Sequence, residues 1–180
     1  MSSTYTTANG IELINTGEQS GAWGDTTNTN LQIVDRVLTG IGSITLSGTA
    51  HTLTTTYGTL SEGMYRVLVL GGSPSGTNTI TVAPDDAQKT YMVYNNSGES
   101  AIFTQGSGAN VTVANGDAKL IYMDGAGTGA AVFDFTANLA MSSVNITGGV
   151  VNGVSSTGVA FTGDATFGDN DKAIFGAGSD

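Results

Sequence analysis

The chain reads as a mainly β protein: an extended N-terminal arm, one short helix, a small antiparallel β-sandwich or barrel, and a Gly-rich repetitive β-shaft. Three observations predict this. Gly occurs 27 times in 180 residues and Pro only twice, so tight turns are plentiful. Charged residues make up 11% of the chain against 39% hydrophobic, the reverse of a disordered composition. Between residues 41 and 135, short Thr-, Val- and Ile-rich segments recur with turn residues between them, the spacing of a sandwich or barrel rather than of βαβ units.

The first element is an arm over 1–24, polar and punctuated by Gly, with one short strand expected in GIELIN (10–15). An arm of this kind buries too little to offset its ordering entropy, so it is expected to dock on something. Trp23, flanked by Gly21, Ala22 and Gly24, is its natural anchor. Buried aromatics dominate interface energetics, and glycines let backbones approach closely. Ile11 and Leu13 add apolar contact from the expected strand. In one reading Trp23 fastens the arm to a partner chain; the competing reading folds it back onto its own helix or β-domain.

A helix follows, in the region 25–40. Asp25 or Thr26 can serve as its N-cap, and Gly40 is its stop. Leu31, Val34 and Leu38 share one face, widened by Ile33 and Val37. A stripe that wide must pack, either on the chain's own β-domain or as a seam around a threefold axis.

The β-domain is expected over 41–136, with strands at 43–46, 52–56, 64–70, 77–82, 90–94, 101–104, 110–113, 119–123 and 131–135. Turn signals separate them at 71–74, 84–86, 95–98, 115–116 and 124–125. Asn115-Gly116 is the strongest hairpin candidate, since both residues tolerate positive φ. Over 137–180 a loose phrase repeats: small polar residues, one or two apolar ones, then Gly. Ile146, Phe161 and Phe167 are among its apolar members. Such short segments cannot close a core within one chain, whereas three chains wound about one axis supply each other's neighbours; the competing reading is a flexible Gly-rich tail.

Charge and composition exclude several classes. Fifteen acidic and five basic residues leave a net charge of −10, which repels nucleic acid and anionic lipid; Arg36, Arg66, Lys89, Lys119 and Lys172 form no patch. With no cysteine, disulfides, thiolate metal sites and thiol nucleophiles are absent. No apolar run is long enough to insert in a membrane, and the start lacks the pattern of a signal peptide.

Candidate catalytic groups fare poorly. His51 is the single histidine, and nothing in its spacing nominates a nucleophile and an orienting acid. Asp85-Asp86 after Pro84 reads as turn chemistry, not as two carboxyls held across a sugar. Asp169-Asn170-Asp171 lacks the ligand ladder of a calcium loop. The run 125–129 lacks the Lys-Ser/Thr ending of a phosphate loop. Neither catalytic residues, cofactor nor metal are expected.

The segment GEQSGAWG over 17–24, followed by TNTNL over 27–31, resembles the start of tail-fibre proteins of marine and cyanobacterial phages, where G-E-x-x-G-x-W-G leads into T-N-x-N-L and a short helix. YMVYNN over 91–96 and the phrases at 144–149 and 167–173 are similar to the same family's β-domain and shafts. The resemblance implies a homotrimeric structural protein of the virion tail, made in the bacterial cytoplasm. Its N-terminal part anchors to tail, baseplate or adaptor proteins. Binding of a host receptor belongs to a distal part not present in these 180 residues, so the chain is expected to be a fragment or a short connector fibre.

The reading from another class is a carbohydrate-binding β-sandwich. Tyr57, Tyr65, Tyr91, Tyr94 and Tyr122 favour it if they cluster on one exposed face and weaken it if they enter the core. A polysaccharide-degrading tailspike fits worse, since the acids are dispersed.

Overall fold

The computed structural model describes residues 2–137. The expected shaft, with Ile146, Phe161 and Phe167, and the acidic run 169–171 lie outside the described residues. The expected strand in the arm forms, but the arm is not extended. Strands β1 (Thr4–Tyr5) and β2 (Glu12–Leu13) pair antiparallel, Thr4 opposite Leu13. Gly10 makes the return possible with a φ of 64°, where its N–H donates to the Thr6 carbonyl at 2.8 Å. A Cβ there would stand 2.8 Å from Tyr57, so the turn also needs Gly for close approach.

The hairpin is tied to its own domain. Gly58 N–H donates to the Gly10 carbonyl at 2.7 Å, the Tyr5 and Tyr57 rings stack at 5.7 Å, and Lys89 Nζ donates to Asn9 Oδ1 at 3.0 Å. On its other side it is clamped to the helix. Asn30 Oδ1 accepts from Glu12 N–H at 2.9 Å, and Asn30 Nδ2 donates to the Glu12 carbonyl at 2.8 Å. One side-chain amide thus replaces a neighbouring strand for β2.

Helix α1 spans Trp23–Thr39 and so begins earlier than its sequence signals predict. Neither Asp25 nor Thr26 caps it. Instead a tight turn around Gln19 and Gly21 runs straight into the first helical residues, with Trp23 N–H donating to the Gln19 carbonyl at 2.9 Å. Thr26 is occupied elsewhere, donating its hydroxyl to Gln19 Oε1. The stop at Gly40 is as expected, although its backbone is extended rather than left-handed.

The rest is a seven-stranded, nearly closed, barrel-like sheet in the order β7-β6-β4-β5-β8-β9, with β3 on the far side of β4. Its strands are β3 (Ile41–Thr54), β4 (Val67–Ala83), β5 (Lys89–Asn95), β6 (Ala101–Thr104), β7 (Val111–Val113), β8 (Ala118–Met123) and β9 (Val132–Asp134). The fold is mainly β, as the composition predicts, but the pairing is mixed rather than antiparallel: β3 to β4, β4 to β5 and β4 to β6 are all parallel.

The reason lies in two long strands. The predicted breaks between 46 and 52 and at 71–74 are bends inside β3 and β4, not chain reversals. The two strands run side by side along their whole length, with a register shift between Gly48 and Ala50. The first half of β4 pairs with β5 and the second half with β6. Three bent tiers therefore stack in parallel, and β7 and β8 return beneath them antiparallel to β6 and β5. Asn115-Gly116 is accordingly the corner of that last tier and not a hairpin, since β7 and β8 do not pair with each other.

Each bend folds the inward faces together. Leu46, Leu68 and Leu70 from the first halves and Leu53, Ile80 and Val82 from the second halves share one core with Tyr91, Val93, Phe103 and Ile121. The corners carry buried amides. Asn95 Nδ2 donates to the carbonyls of Glu99 and Val113, both at 2.8 Å, and its Oδ1 accepts from the Ser97 backbone and hydroxyl. Among the described residues, no helix is long and apolar enough to cross a membrane.

Candidate interaction surface

Helix α1 divides its apolar residues between two faces. At about 100° per residue, Thr26, Asn30, Ile33 and Val37 occupy a sector of about 60°. This sector faces the protein: Ile33 is fully buried and Val37 half-buried. Arg36 fixes the helix from one side, its guanidinium 4.5 Å over the Tyr65 ring and bonded to the Ser61 carbonyl at 3.2 Å. The neighbouring sector of about 80° holds Trp23, Thr27, Leu31, Val34 and Leu38. There Trp23 and Leu31 are each 61% exposed and Leu38 67%.

The stripe is thus divided between two faces, and packing on the chain's own domain accounts for only part of it. Ile33 and Val37 pack on the chain's own domain, while Leu31, Val34 and Leu38 face outward. Trp23 does not fold back; it extends the outward stripe by two turns. Gly21 takes a φ of 85° in the turn before the helix, and Gly24 lies exposed within its first turn. Ile11 is half-buried in the hairpin, while Leu13 is exposed. The sequence places Trp23 with Ile11 and Leu13 in one docking arm. The fold instead joins it to Leu31, Val34 and Leu38, because the helix starts at Trp23 itself. Asn30 is the residue that sequence reasoning missed; its signal was the position of an amide on the inward side of TNTNL.

The tyrosines divide as well. Tyr91 is buried, its hydroxyl donating to the Gly63 carbonyl at 2.8 Å, and burial pushes its pKa well up. Tyr65 packs against the core and Tyr57 against Tyr5. Tyr94 and Tyr122 stand on the outer face of β5 and β8 with Met92, Phe133 and Phe135.

Titratable groups pair at two points and also gather around a cavity that Tyr65, Arg66, Lys89, Tyr91 and Asp124 line. His51 Nε2 meets Glu62 Oε2 at 3.0 Å on the surface. Asp85 and Asp86 form a turn. Asp134, bonded by Lys119 Nζ at 2.8 Å and by the Thr136 hydroxyl, is held down to a pKa of about 2. Lys89 lines a cavity of about 490 Å³ with Asn9, Val37, Tyr65 and Tyr122, and burial lowers its pKa to about 8. Asp124 also borders this cavity, but its Oδ1 accepts the N–H groups of Ala126 and Ala131 and serves the loop. No group of three or more metal-ligating side chains occurs among the described residues. The described residues thus present outward apolar surface on α1 and on the sheet.

No family model matches the chain. No curated protein and no solved structure matches it either.

Proposed function

We propose that the chain is a structural virion component: a tail fibre of a bacteriophage that self-associates as a homotrimer, anchors to the tail and supports attachment to the host cell. It catalyses no reaction in this role. What supports the reading, besides the likeness of GEQSGAWG and TNTNL to fibre proteins, is the outward stripe of α1. Trp23, Leu31, Val34 and Leu38 form one apolar seam on a helix whose other side is already engaged. Left in water, such a stripe forfeits several kcal/mol of burial, at roughly 1.5–3 kcal/mol for each large apolar side chain. Three copies turning it toward a common axis recover that burial. The hairpin and the turn at 17–22, carried at the same end as Trp23, then remain available to tail proteins.

The experiment is sedimentation of the intact chain beside a Leu31→Glu/Leu38→Glu variant. Both side chains are exposed, so the variant keeps its β-rich circular dichroism. The reading expects the wild type to sediment as an assembly and the variant as a single chain; a wild type that sediments alone would falsify it. A carbohydrate-binding β-sandwich is the second reading, favoured by Tyr94 and Tyr122 on one outer face and disfavoured by Tyr57, Tyr65 and Tyr91, which are engaged elsewhere.

A further inference from the structure

The outer face of β4, β5, β8 and β9 carries no charged residue. Val67 and Val69 from β4, Met92 and Tyr94 from β5, and Leu120 and Tyr122 from β8 point outward, with Thr90, Ala118 and Phe133 between or beside them. This is notable on a chain with 15 acidic and 5 basic residues. The cations and anions of these strands, Lys89, Lys119 and Asp134, all sit on the opposite parity. One row crosses the face in register: Ile41, Val67, Met92 and Leu120, continued by Phe135, whose N–H donates to the Leu120 carbonyl at 2.9 Å. Tyr122 and Phe133 stack at 4.9 Å beside it, and each is over a third exposed.

We infer that this face is covered by a second copy of the chain, in one interface continuous with the stripe of α1. The inference rests on the proposed self-association and names the surface that completes it. Three observations favour this occupant. First, two molecules of net charge −10 repel wherever their acids meet, and this is a broad, apolar face on which they can touch without juxtaposing like charges. Depletion of charge is also what marks the core of protein interfaces.

Second, the face is continuous with the helix stripe. Ile41, 66% exposed, opens the row two residues after α1 ends, and it shares a groove with Leu31 and Tyr65, in which Asp35 and Arg36 offset each other's charge. Third, neither face is large enough by itself. Ile41, Met92, Tyr94, Tyr122, Phe133 and Phe135 on the sheet and Trp23, Leu31, Val34 and Leu38 on the helix are 36–67% exposed. A stable interface takes roughly 800 Å² and about 20–30 residues per partner, more than either face supplies alone. A sugar ligand would use two or three of the rings and leave Ile41, Val67, Met92 and the helix in water.

The test is a Tyr122→Glu/Phe135→Glu variant of the full chain, compared with the wild type by sedimentation over a concentration series and by titration with maltohexaose. Both positions are exposed, and retained circular dichroism with a cooperative melt confirms that the variant folds, at a melting temperature lowered only by the lost association. The expected result is an assembly whose dissociation constant rises at least 100-fold, with no response of either protein to maltohexaose. Assembly unchanged in this variant, while Leu31→Glu/Leu38→Glu dissociates, overturns the sheet-face interface and leaves self-association through the helix standing. Tyrosine fluorescence that responds to maltohexaose in the wild type but not in the variant, at unchanged mass, overturns it in favour of a sugar. A wild type that is itself a single chain removes both this inference and the reading beneath it.

Discussion

Asn95 shows how a single side chain ties tiers of the sheet together. Its amide donates to two carbonyls, one of them on β7, and its oxygen accepts from Ser97 twice, all in a site closed to water. Removing it takes the side-chain partner from the buried Val113 carbonyl and the Ser97 backbone N–H, while the Glu99 carbonyl keeps the Ser97 hydroxyl at 3.2 Å. Asn95→Ala is expected to cost about 2–4 kcal/mol, since each stranded buried partner costs about 1–3 kcal/mol. Equilibrium denaturation measures this; a loss below about 0.5 kcal/mol would show the corner to be held by other contacts. In the sequence the residue is legible only as part of a turn, Asn95-Asn96-Ser97-Gly98. Turn propensity reports the bend, but not that the amide reaches across to β7, because that neighbour is set by tertiary stacking.

At the scale of elements, the hairpin and α1 hold each other through Asn30 and Glu12, and Lys89 anchors the hairpin tip through Asn9. The Lys89 ammonium is nearly closed off from solvent and has one neutral acceptor, so burial works against its charge. Its pKa falls to about 8 from 10.5, which fixes the direction of a pH effect. Between these values the folded chain has released a proton that the unfolded chain still binds, so stability rises with pH across that window and the penalty is full below it. Thermal melts from pH 7 to pH 10.5 are expected to show this rise in the wild type and to lose that component in Lys89→Met. A wild-type curve that is flat, or that falls in step with the variant, contradicts the assignment. The helix is legible from its apolar spacing, though its first residues are not. The cap signals at Asp25 and Thr26 are outcompeted by the turn around Gln19, which takes the Thr26 hydroxyl for itself.

For the whole molecule, the alternation of apolar and polar residues identifies nearly every strand from 41 to 135, yet not their partners. Alternation records which side of a strand is buried and carries no sign of whether its neighbour runs parallel or antiparallel. Gly71-Gly72-Ser73-Pro74 has the composition of a reversal, but here it is a bend within β4, so two predicted strands are one and the pairing becomes mixed. The same bends close the sheet around its core and turn Met92, Tyr94, Leu120, Tyr122 and Phe133 outward beside the helix stripe. That juxtaposition could not be read from spacing alone, because Trp23 and Phe133 lie at opposite ends of the domain in sequence.

The account stands on the claim that these two apolar faces are buried between copies of the same chain. Native mass spectrometry of the intact protein at micromolar concentration tests it most directly. The predicted result is a single species at three times the 18.1 kDa chain mass. A folded species at the mass of one chain, stable across the concentration range, would contradict it.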